Sequence, residues 1–501
     1  MRLIFWVLLL FSLTLSACVH LPSDQKRDRE LTEQLYAPAL KGIRWGIFVS
    51  DLDGKILLEH RADDRFIPAS NTKLFTTALA FHFKDSLERF APHLATRMAL
   101  ETGSADQPPT LILTGFGDPA LTDRADCETR CLSHLTDDIV DIGIVEVGDI
   151  VGDETWFPDE AWPPGWSWED LQWGYGTSIS ALSVNNNLYA LYIAPGLSLG
   201  EPADVRLLTG FETYHLSSTV TTVETVTEPL RISRSPGDKT LSLNGQVALS
   251  TPPRTLHLGI DTPALFAAER LKYALKEAGI EVSGQLRTHT KRAKPSPLTS
   301  VTEPALPCSP QLNTPHHLDD TSIARLPPPD WLSMLRDINK LSQNLYAEIM
   351  LRHIGRLCGS GTRVEGLAQL DALIATTGAP KTGHSFFDGS GMSVYNRVSP
   401  RTIGALLVYA ARQDWGADWQ QTFPIAGHDG GLEQRFLNTP LAGRLFAKTG
   451  TLKGVNALSG YMIARSGRRL AFSIIANDRP VSESSAIPHM DAALIDIAAR
   501  Y

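Results

Sequence analysis

A serine and a lysine stand three residues apart in Pro68-Ala69-Ser70-Asn71-Thr72-Lys73-Leu74-Phe75, at the head of the mostly apolar run Leu74-Phe75-Thr76-Thr77-Ala78-Leu79-Ala80-Phe81. Such a run suits a buried helix, and a helix beginning here puts Ser70 and Lys73 on one face, a turn apart. That pairing constrains the whole chain. A serine hydroxyl is a weak nucleophile until a neighbour takes its proton, and a lysine takes it only when burial or nearby positive charge lowers its pKa. The helix N-terminus adds free N–H groups and a favourable dipole where an oxyanion forms. Ser-x-x-Lys is also a short pattern, often met as an N-capping serine beside a solvated lysine, so the rest of the chain has to supply its partners.

At 501 residues, 43% hydrophobic and 20% charged, the chain has a globular composition and room for more than one domain. Its formal net charge of −9 and the lack of a basic stripe argue against nucleic acid as a partner. The N-terminus reads as separate from the fold. Arg2 precedes an apolar run from Leu3 to Leu15, closed by Leu15-Ser16-Ala17-Cys18. Residues 1–17 therefore read as an export signal rather than a membrane span. The cysteine after small residues resembles a bacterial lipoprotein box, in which Cys18 becomes the lipid-modified first residue and anchors the chain to a membrane. The alternative is an ordinary secretory signal with a chance cysteine. Val19, where an aspartate would stand for inner-membrane retention, resembles sorting to the outer membrane, facing the periplasm. An exported protein can keep disulfides, and Cys127, Cys131, Cys308 and Cys358 allow three pairings among which the sequence does not choose. No His-Glu-x-x-His or paired Cys-x-x-Cys suggests a metal, and His316-His317 fall in a Pro-rich loop.

Residues 18–34 read as a polar tether. Gly42 to Ser50 alternates roughly as a strand does, Asp51-Leu52-Asp53-Gly54 is a turn, and Lys55 to Glu59 a returning strand. Residues 95–295 read as a largely β insertion of one or two lobes, with Thr219-Val220-Thr221-Thr222-Val223 at the centre of its most strand-like part and a helix from Ala264 to Ala278. A Pro-rich stretch at 293–330 reads as a linker or loop. Trp331 to Leu357 is helical with a break near Leu341-Ser342-Gln343-Asn344, and the end of the chain reads as an antiparallel meander closed by a helix from Ile487 to Ala499. Residues 35–94 and 296–501 then form one α+β body interrupted by the insertion.

Two further elements carry chemistry. In Ser342-Gln343-Asn344 a serine hydroxyl can pass a proton to a leaving amine and an asparagine can orient substrate amides. In Lys448-Thr449-Gly450, on a predicted strand, a lysine beside a hydroxyl suits a substrate carboxylate, and the glycine admits a close backbone. A second Lys-Thr-Gly, Lys381-Thr382-Gly383, follows Ala379-Pro380 and reads as a loop. Gly389-Ser390-Gly391 is preceded by Asp388, so Gly-x-Ser-x-Gly is absent.

Ser-x-x-Lys, Ser-x-Asn and Lys-Thr-Gly, in that order, are the penicillin-recognising set. With Gly115-Phe116-Gly117-Asp118-Pro119, Ile179-Ser180-Ala181-Leu182-Ser183-Val184-Asn185-Asn186-Asn187, Asp388-Gly389-Ser390-Gly391-Met392-Ser393 and Ala447-Lys448-Thr449-Gly450-Thr451-Leu452, the chain resembles the D-alanyl-D-alanine carboxypeptidases and endopeptidases of the class C low-molecular-mass penicillin-binding proteins. The resemblance implies an α+β fold: a penicillin-binding/β-lactamase-like transpeptidase domain, an antiparallel sheet flanked by helices, carrying a large mainly β insertion. It implies peptidoglycan stem peptides as substrates, β-lactams as covalent inhibitors and no cofactor. It implies Ser70 as nucleophile, Lys73 as its base, Ser342 with Lys448 as the proton relay, Asn344 on the substrate amide, Lys448 and Thr449 at the carboxylate, and Gly450 and Thr451 among the substrate-binding residues. The N–H groups of Ser70 and Thr451 would form the oxyanion hole. In this family an aspartate from the insertion lines a pocket for the amino end of a diaminopimelate side chain. Asp153, in Gly152-Asp153-Glu154-Thr155-Trp156-Phe157, is the candidate, set against a plain turn aspartate. Two alternatives stand beside this reading: a β-lactamase, and a cell-wall-binding lipoprotein with a silent site.

Overall fold

The computed structural model describes residues 35, 40–102, 107–158, 160–208, 214–291, 322–480 and 485–501. The export signal, Cys18, the tether, Cys308 and the 300–320 stretch lie outside them. Strand β1 (Arg44–Asp51) returns as β2 (Ile56–His60). The turn between them is fixed by Asp51, whose carboxylate accepts from the N–H groups of Asp53 at 3.1 Å and Lys55 at 2.8 Å. The sequence suggested alternation in β1, yet every residue after Arg44 is buried. Both of its faces are covered. Trp45, Ile47 and Val49 pack with Met490, Leu494 and Ile497, and Gly46 presses on Phe66 and Pro400. A short turn, Ala69–Asn71, then feeds α1 (Thr72–His82), in which Thr72 through Phe81 are all buried.

The intervening region carries β3 (Arg97–Glu101), β4 (Thr110–Thr114), α2 (Leu132–Asp141), β5 (Ile150–Asp153), β6 (Leu188–Ala194), β7 (Arg254–Gly259), α3 (Pro263–Glu277), β8 (Leu286–His289) and β9 (Ser322–Arg325). Its largest sheet has the order β8-β5-β4-β3-β9. Leu132, Leu135 and Ile139 of α2 and Phe266, Leu271 and Leu275 of α3 share a core with Leu111, Leu113 and Ile150 of the sheet. Strand β9 comes from beyond residue 295 and pairs antiparallel with β3. Cys127 and Cys131 are joined in a disulfide.

The body resumes with α4 (Trp331–Lys340), α5 (Asn344–Cys358), α6 (Arg363–Thr376), α7 (Pro400–Ala410), β10 (Leu445–Leu452), β11 (Val455–Ile463), β12 (Arg469–Asn477) and α8 (Ile487–Arg500). The central sheet runs β2-β1-β12-β11-β10 with antiparallel neighbours throughout, so the first hairpin closes onto the last strand. The architecture is α+β. Strand β10 ends the sheet, and the loop residues Pro424 to Ala426 cover the start of its outer edge, at Leu445 to Ala447. The second Lys-Thr-Gly, at 381–383, falls in a turn.

Helix α5 ties the body to the inserted region. The His353 ring lies 2.9 Å from the Gly117 carbonyl, the Tyr346 hydroxyl donates to Asn186 at 2.8 Å, and Arg352 donates to the Glu160 carbonyl at 3.1 Å. Among the described residues no helix is long and apolar enough to cross a membrane.

Candidate active site

The first residue of the site is aimed by backbone strain. Ala69 holds φ +49°, a conformation that costs a non-glycine residue on the order of 1 kcal/mol or more. It turns the chain into α1, where Lys73 points back at Ser70. Lys73 Nζ lies 3.0 Å from Ser70 Oγ, 2.6 Å from Asn344 Oδ1 and 2.6 Å from the Ser390 carbonyl oxygen. A neutral amine has two N–H groups and one lone pair. In that form, with Asn344 and Ser390 taking the two N–H groups, the lone pair is free to face Ser70 Oγ; in the protonated form Lys73 donates to all three. Burial in the core pushes Lys73 down to about 7, against the pull of the Asp388 and Glu348 carboxyl groups.

Opposite, Lys448 Nζ donates to Ser342 Oγ and to the Thr449 carbonyl, both at 2.9 Å. Burial first, and then the charge of Lys73, hold Lys448 well below the usual lysine range. Ser342 sits in the expected break between α4 and α5 at φ +60°. Asn71 Nδ2 donates to the Lys448 carbonyl at 2.8 Å, fastening the start of α1 to β10. Gly450 lies so close that a Cβ there would stand 2.8 Å from the Pro68 carbonyl oxygen and 3.2 Å from the Ser70 nitrogen. Ser70, Lys73, Ser342, Asn344, Lys448 and Gly450 are thus gathered in one place from three separate stretches of chain.

A buried carboxylate organises the far wall. Asp388 accepts from the N–H groups of Gly391 at 2.9 Å and Ser393 at 2.6 Å, from Asn396 Nδ2 at 2.6 Å and from Trp166 Nε1 at 2.9 Å. Glu348 accepts from the N–H groups of Gly389 and Ser390 at 2.8 Å each, and Arg352 pairs with its other oxygen at 3.2 Å. Burial and the Asp388 charge push the Glu348 carboxyl up, and Arg352 pulls it down. Together they fix the Ser390 carbonyl that holds Lys73. Gly391 has φ +87°, and a Cβ there would stand 1.9 Å from the Ala69 carbonyl oxygen. Gly391→Ala is therefore expected to destabilise the fold by on the order of 2–4 kcal/mol, through left-handed strain plus a backbone clash. Urea unfolding checks this, and an unchanged midpoint would refute the packing described.

A model of the D-Ala-D-Ala carboxypeptidase 3 (S13) family matches residues 28–309 and 313–501. The chain belongs to this family. It is 31% identical over 470 residues to the D-alanyl-D-alanine carboxypeptidase of Actinomadura sp. (strain R39), spanning 90% of this chain and 81% of that relative. With D-alanyl-D-alanine carboxypeptidase DacB of Haemophilus influenzae the identity is 25% over 424 residues, 83% of this chain and 82% of the relative. The crystal structure of penicillin binding protein 4 (dacB) from Haemophilus influenzae shares the fold, with a TM-score of 0.74 at 22% identity over 94% of this chain and 97% of that one.

Within this S13 chain Asp153 has a different setting from the cluster around Ser70. It ends β5, between Thr114 of β4 and His289 of β8, and its Oδ1 accepts from the Thr155 N–H at 2.9 Å, as a turn aspartate does. A further carboxylate linked to the cluster, from the inserted region, is Asp170. It accepts from the Tyr175 hydroxyl at 2.9 Å, and the Tyr175 carbonyl accepts from Asn344 Nδ2 at 2.8 Å. Sequence reading passed over Trp166-Ser167-Trp168-Glu169-Asp170-Leu171-Gln172-Trp173-Gly174-Tyr175, whose density of aromatic and acidic residues in a loop was the available signal. Trp168 and Tyr175 remain 63% and 50% exposed, an unusual outlay of aromatic surface beside a cleft. Thr449 and Thr451 lie on β10 on either side of Gly450.

Proposed function

We propose that this chain is a serine D,D-peptidase of peptidoglycan. The observation that carries the reading is the placement of Lys73 Nζ 3.0 Å from Ser70 Oγ, with Asn344 and the Ser390 carbonyl as its other two partners, on a helix buried all round. Ser70 Oγ attacks the carbonyl carbon of the penultimate D-alanine while Lys73 takes the hydroxyl proton. The N–H groups of Ser70 and Thr451 receive the oxyanion, a contribution of about 3–4 kcal/mol per donor in comparable sites. The carbon–nitrogen bond then breaks, the leaving amine takes a proton from Ser342, and Ser342 is reprotonated through the two lysines. Water cleaves the Ser70 ester, returning the hydroxyl and releasing the shortened stem peptide. Lys448 and Thr449 hold the terminal carboxylate, and the second N–H of the Asn344 amide is available for a substrate carbonyl. Asp170, rather than Asp153, is the carboxylate assigned to an ammonium on the substrate side chain.

The same reading takes residues 35–94 and 296–501 as the peptidase body, less β9, which belongs with the sheet of the inserted region. It places the enzyme in the periplasm, held at the outer membrane through a lipid on Cys18. The test is intact-protein mass spectrometry after brief exposure to benzylpenicillin, paired with D-alanine release from a disaccharide pentapeptide. A stable gain of one penicilloyl group and released D-alanine are expected. Unmodified protein with hydrolysed penicillin would mean a β-lactamase; unmodified protein with intact penicillin would mean a silent binding module.

A further inference from the structure

One end of the central sheet is basic, in a chain whose formal net charge is −9. Arg44 opens β1, Lys453 lies in the turn from β10 to β11, and Arg479 follows β12. The strand register puts all three at the same end, where Arg44 faces Asn477 and Thr451 faces Asn456, and the Arg479 N–H donates to the Gly454 carbonyl at 3.1 Å. The chain from Arg65 to Pro68 crosses this end on its way to Ser70. The Ile67 N–H donates to Asn477 Oδ1 at 2.8 Å, and the Pro68 carbonyl packs against Gly450. Arg397 is brought in by the bridge between Phe66 and Val398. Arg44 donates to the Arg65 carbonyl at 3.2 Å and lies over the Phe66 ring, 4.3 Å from its centre. The carboxylates nearby are already taken: Asp478 pairs with Arg44 at 3.0 Å, Asp64 with Arg61 at 2.7 Å and Asp63 with Arg401 at 2.7 Å. Among the described residues none forms an ion pair with Arg65, Arg397 or Lys453, and Arg65 and Lys453 are exposed. Arg397 is crowded by like charge. Burial first, and then Arg44 and Arg65, hold its guanidinium below the usual arginine value, against the pull of Asp478. A surface that gathers cations without carboxylates between them suits a polyanion. Every uncut pentapeptide ends in a carboxylate, so a glycan strand that carries them is one, and this surface borders the cleft that takes a single stem.

We propose that this basic end of the sheet holds the neighbouring stem peptides of the glycan strand whose own stem lies in the cleft, so that the enzyme prefers the polymer to a lone muropeptide. The proposal rests on the D,D-peptidase reading and adds a partner surface to it. The neighbouring carboxylates are not cut. They are attracted to Arg65, Arg397 and Lys453, which keeps the strand beside Ser70 between one stem and the next. Such attraction acts over about 8 Å at physiological ionic strength and weakens with added salt.

The test is the double variant Arg65→Glu, Lys453→Glu, whose exposed side chains lie outside the Ser70–Lys73–Ser342–Lys448 cluster. D-alanine release is compared on uncross-linked glycan strands bearing pentapeptides and on a disaccharide pentapeptide. On the strands kcat/KM is expected to fall about tenfold in the variant, while on the disaccharide pentapeptide it stays within about twofold. In the wild type, turnover of the strands should drop several-fold between low and high salt, and the variant should be flat across the same range. Equal losses on both substrates would mean that these cations serve the bound stem itself and would overturn the proposal, as would an unchanged rate on the strands or a wild type insensitive to salt. Flotation with phosphatidylglycerol vesicles tests the other polyanion: lipid binding lost in the variant with strand turnover intact would give the surface to a membrane and overturn the proposal. Each of these outcomes leaves the peptidase reading standing. A wild type that releases D-alanine from neither substrate would remove that reading and the proposal with it.

Discussion

Ser70→Ala is expected to abolish the penicilloyl adduct and to lower D-alanine release by about 10⁴-fold or more, the scale seen when a serine nucleophile is removed from an enzyme that acts as a unit. Little else should change. The lost atom is a partly buried hydroxyl, and Lys73 keeps its bonds to Asn344 and to the Ser390 carbonyl. Thermal unfolding should therefore move by no more than about 1 kcal/mol, the net contribution of one hydrogen bond. Mass spectrometry on wild type and variant side by side decides the matter. Two other serines stand near the pair: Ser342, bonded to Lys448, and Ser390, fully buried beside Asp388. An adduct that survives in the Ser70→Ala protein would move the nucleophile to one of them and would break the role given to Lys73.

The sequence exposed the chemistry better than its support. Ser70 and Lys73 were legible because a three-residue spacing at the head of an apolar helix is a local fact, and the Ser342 turn was legible because Leu341-Ser342-Gln343-Asn344 interrupts a helical pattern. What holds them is long-range. Asp388 works through Trp166, which lies 222 residues away, and Glu348 through the backbone of Gly389 and Ser390. No local pattern says where those acceptors point. Asp153 and Asp170 both sit beside aromatic residues. Only the folding of the Tyr175 loop over Asn344 separates a turn aspartate from one tied to the cleft. Strand β9 is four residues long and follows a Pro-rich stretch, so nothing nearby announces that it pairs with β3. The burial of β1 was missed for the same reason: alternation reads one covered face, and here helices and loops cover both.

Lys73→Met should separate the base from the scaffold. Methionine fills most of the space of the lysine stem, so the core around α1 stays packed. The proton acceptor is gone, and acylation by benzylpenicillin is expected to fall by about 10³–10⁴-fold. The pH dependence is the sharper readout. In the folded protein Lys73 titrates at about 7 instead of 10.5, so acylation of the wild type should rise as pH is raised through about 7, where the amine loses its proton. Stability carries the matching signature. Between pH 7 and 10.5 the unfolded chain holds a proton on this lysine and the folded chain does not, so stability rises with pH across that window and is flat in this group below it. The total amounts to on the order of a few kcal/mol. In Lys73→Met both slopes should vanish: the residual acylation no longer climbs through pH 7, and urea midpoints lose the rise attributable to this group. A variant that keeps the wild-type rise in acylation would show that another group, with Lys448 the nearest candidate, takes the serine proton. A wild type whose acylation is flat from pH 6 to 8 would place the Lys73 titration elsewhere and remove the physical basis for calling it the base.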